Sequence, residues 1–144
     1  MKTKPQMNTK IYLGTYGSLK KGFYNHNYIK ENPEPILKTT ITGCMYLNRS
    51  YPYLFKTKLE PNAIKTEHEL EIYEISKFEE ESIDYIEAPE YNKEHIEIKI
   101  NNKLEKVIIY WTKPELTNKI LKYNLPPIEA YTKSLLAKLT PIHG

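Results

Sequence analysis

The sequence Lys10-Ile-Tyr-Leu-Gly-Thr-Tyr16 runs directly into Gly17-Ser18-Leu19. Ile11 and Leu13 alternate with other residues and strand formers are abundant, so the sequence predicts a β-strand that ends at the glycine and serine. A glycine lets a ligand approach the backbone closely, and successive amides at such a turn form a concave donor site for an anion. The pattern therefore indicates either a carboxylate-binding loop or a plain connection.

Further stretches with β-branched residues or alternating apolar residues predict the remaining strands. These strands are Ile36 to Leu47, Glu69 to Ile75, His95 to Ile100 and Leu104 to Trp111. Gly43 inside the first of them indicates a bulge or a barrel bend. Asn101 and Asn102 separate the last two strands with the composition of a tight turn, so we expect a β-hairpin there.

Two stretches predict helices. Ser76 is a good N-cap for a helix from Lys77 to about Glu87, and Pro89 follows as a stop signal. The acidic run Glu79 to Glu81 is interpreted as a solvated helix start, and Pro127 to Leu139 has apolar residues near helical spacing. Many strands with few helices favour an α+β domain, with a curled or barrel-like sheet.

The composition fits a single globular domain. The chain has 144 residues, of which 40% are hydrophobic and 27% charged, enough for one core. We expect residues 1–9 to form a loose leader and residues 10–144 the domain. Cys44 is the only cysteine, which excludes an internal disulfide. No apolar run is long enough for a membrane span and no secretory signal precedes the domain, so we expect a cytoplasmic protein that does not contact membranes.

Charge and histidine spacing exclude two further classes of function. The net charge is +3, but Arg49 is the only arginine among 21 basic residues, and specific nucleic-acid readers rely on arginine. The four histidines are scattered without ligand spacing, so no metal site is expected. The sequence therefore predicts neither a nucleic-acid partner nor a metal cofactor.

Glu87 is the candidate general base. On a helical wheel it lies about 40° from Ile83, at the edge of the apolar face. A helix C-terminus disfavours a carboxylate, and partial burial does so as well, so both effects raise its pKa toward the range of a general base. The alternative is that Glu87 is a solvated residue at a fraying helix end.

Several short motifs, taken together, resemble the γ-glutamylcyclotransferase superfamily, and are most similar to its short γ-glutamylamine cyclotransferase (AIG2-like) branch. The motifs are Tyr16-Gly17-Ser18-Leu19-Lys20-Lys21-Gly22, Asn25-His26, Tyr51-Pro52, Glu71-Ile72-Tyr73, Ile83-Asp84-Tyr85-Ile86-Glu87, Tyr91, Leu125-Pro126 and Tyr131. Each is weak alone, but they follow the family's order from about Lys10 to Tyr131. The sequence departs from the family at Lys93, where the family usually has arginine.

The resemblance implies a barrel-like α+β fold with one cavity and no cofactor. By position, the loop residues Tyr16, Gly17, Ser18 and Leu19 would bind the glutamyl carboxylate, with Tyr91 also in the pocket. Glu87 would take a proton from the α-ammonium of a small-molecule γ-glutamyl substrate. The product would be 5-oxoproline plus a free amine or amino acid, and we expect the enzyme to be a monomer.

Two other functions remain open at this point. The first is a non-catalytic module that keeps the cavity and sequesters a small anionic or amino-acid-like ligand. The second is cyclisation within a biosynthetic pathway, which would remove a γ-glutamyl protecting group from a larger acyl product. Calorimetric binding of a ligand that is recovered unchanged would favour the first, and activity confined to bulky acylated substrates would favour the second.

Overall fold

The computed structural model describes residues 10–48, 51–56, 65–123, 125–129 and 131–132. Within this part of the chain, the elements are seven β-strands, two α-helices and two short 3₁₀ helices. The strands are β1 (Ile11–Thr15), β2 (Leu37–Asn48), β3 (Tyr51–Phe55), β4 (Thr66–Ile75), β5 (Tyr91–Ile100), β6 (Lys103–Thr112) and β7 (Pro127–Ile128). The helices are α1 (Lys77–Glu87) and α2 (Thr117–Tyr123), and the 3₁₀ helices are His26–Tyr28 and Pro114–Leu116.

The strands form one mixed sheet in the order β3-β2-β4-β1-β6-β5, with β7 paired to β2. β1 is antiparallel to β4 but parallel to β6, where Leu13 is the partner of Ile108. Parallel strands bring their carboxyl ends to the same edge of a sheet. The residues that follow β1 and those at the end of β6 therefore meet at one edge, where the candidate site lies.

The sheet curls because β2 changes partners along its length. Its first part, Leu37 to Gly43, pairs with β4, and its second part pairs with β3 from Cys44 onward. A Cβ on Gly43 would lie 2.8 Å from the carbonyl oxygen of Phe55, so only glycine allows this close approach. Leu54 N in β3 also donates to Thr112 Oγ1 in β6 at 2.8 Å. The predicted α+β class with a curled mixed sheet is confirmed.

The structure confirms helix α1 with its predicted bounds. Ser76 forms a capping box, since Glu79 N donates to its Oγ at 3.1 Å and the Glu79 carboxylate accepts from Ser76 N at 2.8 Å. The expectation that Glu79 and Glu80 are solvated is wrong. Both are buried, because backbone amides bind Glu79 while Lys77 and Lys93 pair with Glu80.

The predicted hairpin is confirmed as β5 and β6. Ile100 pairs with Lys103, which leaves the two asparagines as the loop. Asn101 and Asn102 have φ angles of 52° and 67°. Both residues adopt the left-handed conformation of a type I′ turn, which asparagine tolerates better than most side chains do.

Three elements differ from the sequence-based expectations. β3 and α2 were not predicted, and the start of the expected C-terminal helix at Pro127 forms strand β7 instead, because Ile128 pairs with Met45 of β2. The leader and the rest of the expected tail helix lie outside the described residues. Neither α-helix in the described part of the chain has the length and apolarity that a membrane span requires.

Candidate active site

A cavity of about 530 Å³ opens at the sheet edge where β1 and β6 end. It is bounded by the loop after β1, the start of β3, the C-terminal end of α1, the start of β5 and the end of β6. The lining residues are Gly14, Thr15, Tyr16, Gly17, Ser18, Leu19, Asn25, Tyr28, Tyr51, Pro52, Ile86, Glu87, Pro89, Glu90, Tyr91 and Tyr110. All six residues predicted from the sequence, namely Tyr16, Gly17, Ser18, Leu19, Glu87 and Tyr91, lie in this lining.

The loop after β1 is a tight turn, which Lys20 N closes by donating to Gly17 O at 3.0 Å. Asn25 stabilises this turn with two hydrogen bonds. Its backbone N donates to Ser18 O at 2.9 Å, and its Nδ2 donates to Ser18 Oγ at 2.8 Å. Within the described residues, the amides of Gly17, Ser18 and Leu19 donate to no backbone carbonyl. These three donors can therefore serve an anionic ligand.

Glu71 and His26, two residues of the family motifs, contact the loop from its outer side. The Glu71 carboxylate accepts from Lys21 N at 2.8 Å and from Tyr73 OH at 2.6 Å. The His26 ring has Nδ1 2.8 Å from Leu19 O. Because these contacts lie behind the loop, they fix its shape without occupying the cavity.

Glu87 is the last residue of α1 and is half-buried in the cavity wall. Burial, with a second contribution from the nearby Glu90 carboxylate, raises the pKa of Glu87 to about 7. Burial disfavours the charged form, and a like charge does the same. At neutral pH the side chain is therefore divided between carboxylate and carboxylic acid, which suits both removal and return of a proton.

Three tyrosines line the cavity together with Glu87, and each donates its hydroxyl to another group. Tyr16 OH donates to Tyr110 O, Tyr91 OH donates to Pro52 O at 2.8 Å, and Tyr110 OH donates to Asp84. The pKa of each phenol is raised, chiefly by burial. These side chains hold the walls of the cavity in place and do not add charge to it.

The cavity also contains residues that the sequence did not single out as site residues. Among them are Asn25, Tyr28, Tyr51, Glu90 and Tyr110. Asn25 belongs to a quoted family motif, which was a usable signal. Glu90 follows Glu87 by three residues, but nothing in the local pattern distinguishes it from a turn residue. Among the described residues, no group of three or more His, Cys, Asp or Glu side chains is arranged to hold a metal ion.

Comparison with known proteins adds two kinds of similarity. The family model for gamma-glutamyl cyclotransferase, AIG2-like, matches residues 13–131. The fold is similar to that of protein PH0828 from Pyrococcus horikoshii, with a TM-score of 0.57, 22% identity, and coverage of 92% of this chain and 99% of that chain. It is also similar to an AIG2-like protein from Mus musculus, with a TM-score of 0.58, 19% identity, and coverage of 95% and 99% respectively.

A third solved structure, YkqA from Bacillus subtilis, has a TM-score of 0.50 and 16% identity, and the match covers 81% of this chain and 43% of that chain. No curated protein matches the chain at a significant level. At these identities the solved structures establish the fold, and the family model establishes the relationship.

Proposed function

Because the chain belongs to the AIG2-like gamma-glutamyl cyclotransferase family, we propose that it converts a γ-glutamyl amine or γ-glutamyl amino acid into 5-oxoproline and a free amine. Glu87 is the general base in this proposal. The observation that supports it best is the position of Glu87: a half-buried carboxyl with a pKa of about 7 shares one cavity with the amides of Gly17, Ser18 and Leu19, which donate to no backbone carbonyl in the described part of the chain. A base and an anion-binding loop are the two parts that such a cyclisation requires.

The proposed reaction begins with proton transfer. The loop amides of Gly17, Ser18 and Leu19 bind the α-carboxylate of the γ-glutamyl group, and the α-ammonium loses one proton to Glu87. The freed amine attacks the carbon of the γ-carbonyl, forming a C–N bond and a tetrahedral oxyanion. Preorganised donors stabilise such an oxyanion at the point where its charge develops.

The second half of the reaction returns the proton. The bond between the γ-carbon and the leaving nitrogen breaks, and that nitrogen takes the proton held by Glu87. The ring nitrogen still carries one proton more than the lactam, and it passes this proton to the departing amine, which leaves as an ammonium ion. The five-membered lactam leaves as 5-oxoproline, so no water and no cofactor is consumed. Nucleophile and electrophile belong to one molecule, and well-oriented intramolecular reactions reach effective molarities of about 10⁵ M or more.

The test is direct assay of the purified protein with ε-(γ-glutamyl)lysine, several γ-glutamyl amino acids and glutathione, with 5-oxoproline measured by mass spectrometry. Glu87→Gln is expected to lower kcat by about 100-fold or more, because it removes the general base. Glu81→Gln is the matched control, since Glu81 is an exposed residue of the same helix. Equal product from the Glu87→Gln variant would remove Glu87 from the mechanism.

A failed assay is also informative. If the folded wild-type protein yields no product but binds a γ-glutamyl compound that is recovered unchanged, the protein is a binding module on the same fold and the proposed catalysis is wrong. The proposal further treats the enzyme as a cytoplasmic monomer with a small-molecule partner. Light scattering checks the oligomeric state, and a dimer would contradict that part.

A further inference from the structure

Glu90, in the turn that joins α1 to β5, is a second acidic residue in the cavity lining. Glu90 N donates to Glu87 O at 3.2 Å, and Lys113 N donates to Glu90 O at 2.9 Å. The backbone of Glu90 is thus held between the end of α1 and the segment that follows β6. Glu87 and Glu90 are the two charged side chains among the described residues that line the cavity.

The Glu90 carboxylate is itself fixed by two residues outside the cavity lining. Tyr53 OH donates to its Oε2 at 2.5 Å, and Lys119 Nζ lies 3.5 Å from the same oxygen. Lys119 Nζ also donates to Tyr53 OH at 3.3 Å. A carboxylate held on one oxygen by both a phenol and an ammonium keeps a defined position and a partly compensated charge.

Other titratable groups face Glu87 from each neighbouring element. Tyr16 follows β1, Tyr91 begins β5 and Tyr110 lies in β6. All three phenols are neutral at physiological pH, and burial raises their pKa values further above the ordinary one. Asp84 lies one turn earlier on α1, where it pairs with Lys93 at 3.0 Å. Of these titratable groups, Glu90 is the acidic residue that lines the cavity together with Glu87.

We propose that Glu90 is a positioning residue of the site, which acts on the substrate through Glu87: it fixes a second negative charge beside the base, and Lys119 compensates part of that charge. This inference rests on the proposed function of Glu87. A fixed like charge nearby favours protonation of a carboxylate, and a neighbouring cation has the opposite effect. The Coulombic effect of Glu90 on the pKa of Glu87 has the same direction.

Two substitutions separate this role from a structural one, because they change the charge near Glu87 in opposite directions. Glu90→Gln keeps the shape of the side chain and an oxygen acceptor for Tyr53, but removes the negative charge. Lys119→Gln removes the moderating cation from α2. The controls are Glu81→Gln and Lys122→Gln, which make the same chemical changes at exposed positions of α1 and α2.

The readout is the titration of the Glu87 side-chain carboxyl by ¹³C NMR, with its signal assigned by its loss in Glu87→Gln. Glu90→Gln is expected to lower the titration midpoint by about half a pH unit or more, and Lys119→Gln to raise it by a smaller amount. Neither control should move it. An unmoved midpoint in Glu90→Gln, or shifts of both variants in the same direction, would overturn the proposal.

The pH profile of kcat/KM gives a second readout that a loss of packing would not mimic. Its acidic limb should move down in Glu90→Gln and up in Lys119→Gln, in step with the NMR midpoints. If the wild-type protein forms no 5-oxoproline, the proposed function fails, but the NMR titration still tests the effect of Glu90 on Glu87. If Glu90→Gln does not fold, Lys119→Gln alone tests the proposal, because Lys119 lies on the surface of the short helix α2.

Discussion

Gly17 lies so close to Pro52 that a Cβ on Gly17 would stand 2.6 Å from the Cγ of the proline ring. The ring cannot easily move away, because Pro52 pairs with Leu47 in the sheet and its carbonyl accepts from Tyr91 OH. This contact packs the candidate carboxylate loop against the start of strand β3. This protein contact by itself requires glycine at position 17.

Gly17→Ala should therefore disturb the loop more than the fold. The added methyl group forces the turn away from Pro52, and misplacement of a binding group by about 1 Å costs about 100-fold in rate. We expect kcat/KM to fall by at least ten-fold, while the melting temperature changes by only a few degrees. Steady-state kinetics and thermal unfolding measure the two effects, and undiminished turnover would show that the loop position does not matter.

Turnover should depend on pH through Glu87. The carboxylate is the active form of the base, and its pKa is about 7, so kcat/KM should fall about ten-fold for each pH unit below that value. An ordinary carboxyl would lose activity only near pH 4. A profile measured from about pH 5 to pH 8 distinguishes the two, and a flat profile over that range would contradict Glu87 as the base.

The charged form of Glu87 should also destabilise the folded state. Its pKa is raised from 4.5 to about 7, so the folded state holds the proton more tightly, and stability falls as pH rises through that interval. Gln carries no charge, so Glu87→Gln should be more stable than wild type by about 3 kcal/mol near pH 8 and equal to it below about pH 4.5. Urea denaturation at both pH values checks this, and a less stable variant near pH 8 would be the contrary result.

Glu79 makes the opposite contribution to stability. Its carboxylate accepts from the amides of Ser76, Lys30 and Glu31. Burial alone would raise its pKa, but these hydrogen bonds outweigh burial and lower it. Glu79→Gln leaves amide donors facing an NH₂ group, so we expect a loss of about 2 kcal/mol near pH 7.

The same depressed pKa fixes the pH dependence of this loss. The stability that Glu79 provides is present above its unfolded pKa and disappears as pH falls through its lower folded value. The difference between Glu79→Gln and wild type should therefore shrink in acid. Chemical denaturation of both proteins, with Glu81→Gln as the exposed control, measures it. A loss that is independent of pH would point to packing instead of charge.

The elements that the sequence predicted well are those whose signals are local. Ser76 and Glu79 are three residues apart, and Asn101-Asn102 forms a complete turn, so α1 and the hairpin follow from adjacent residues. The position of Glu87 on the wheel likewise predicted its partial burial. Short-range hydrogen bonding and helix geometry are enough for each of these conclusions.

The features that were missed depend on residues far away in the sequence. β3 contains Pro52, which argues against a strand, and it is held by pairing with the second part of β2. Glu79 looks solvated within an acidic run, yet its partners Lys30 and Glu31 are 49 and 48 positions away. Glu90 belongs to the cavity because Tyr53 and Lys119 hold it there, which no local pattern shows.

The parallel pairing of β1 with β6 also determines when the site can form during folding. Tyr16 and Tyr110, which line the cavity together with Glu87, are 94 positions apart, and such non-local contacts form late because a long loop must close first. The carboxylate loop and the helix that ends in Glu87 are complete before β6 is synthesised. A nascent chain that stops before β6 therefore has both halves of the site but lacks Tyr110 and the strand beside β1 that complete the cavity wall.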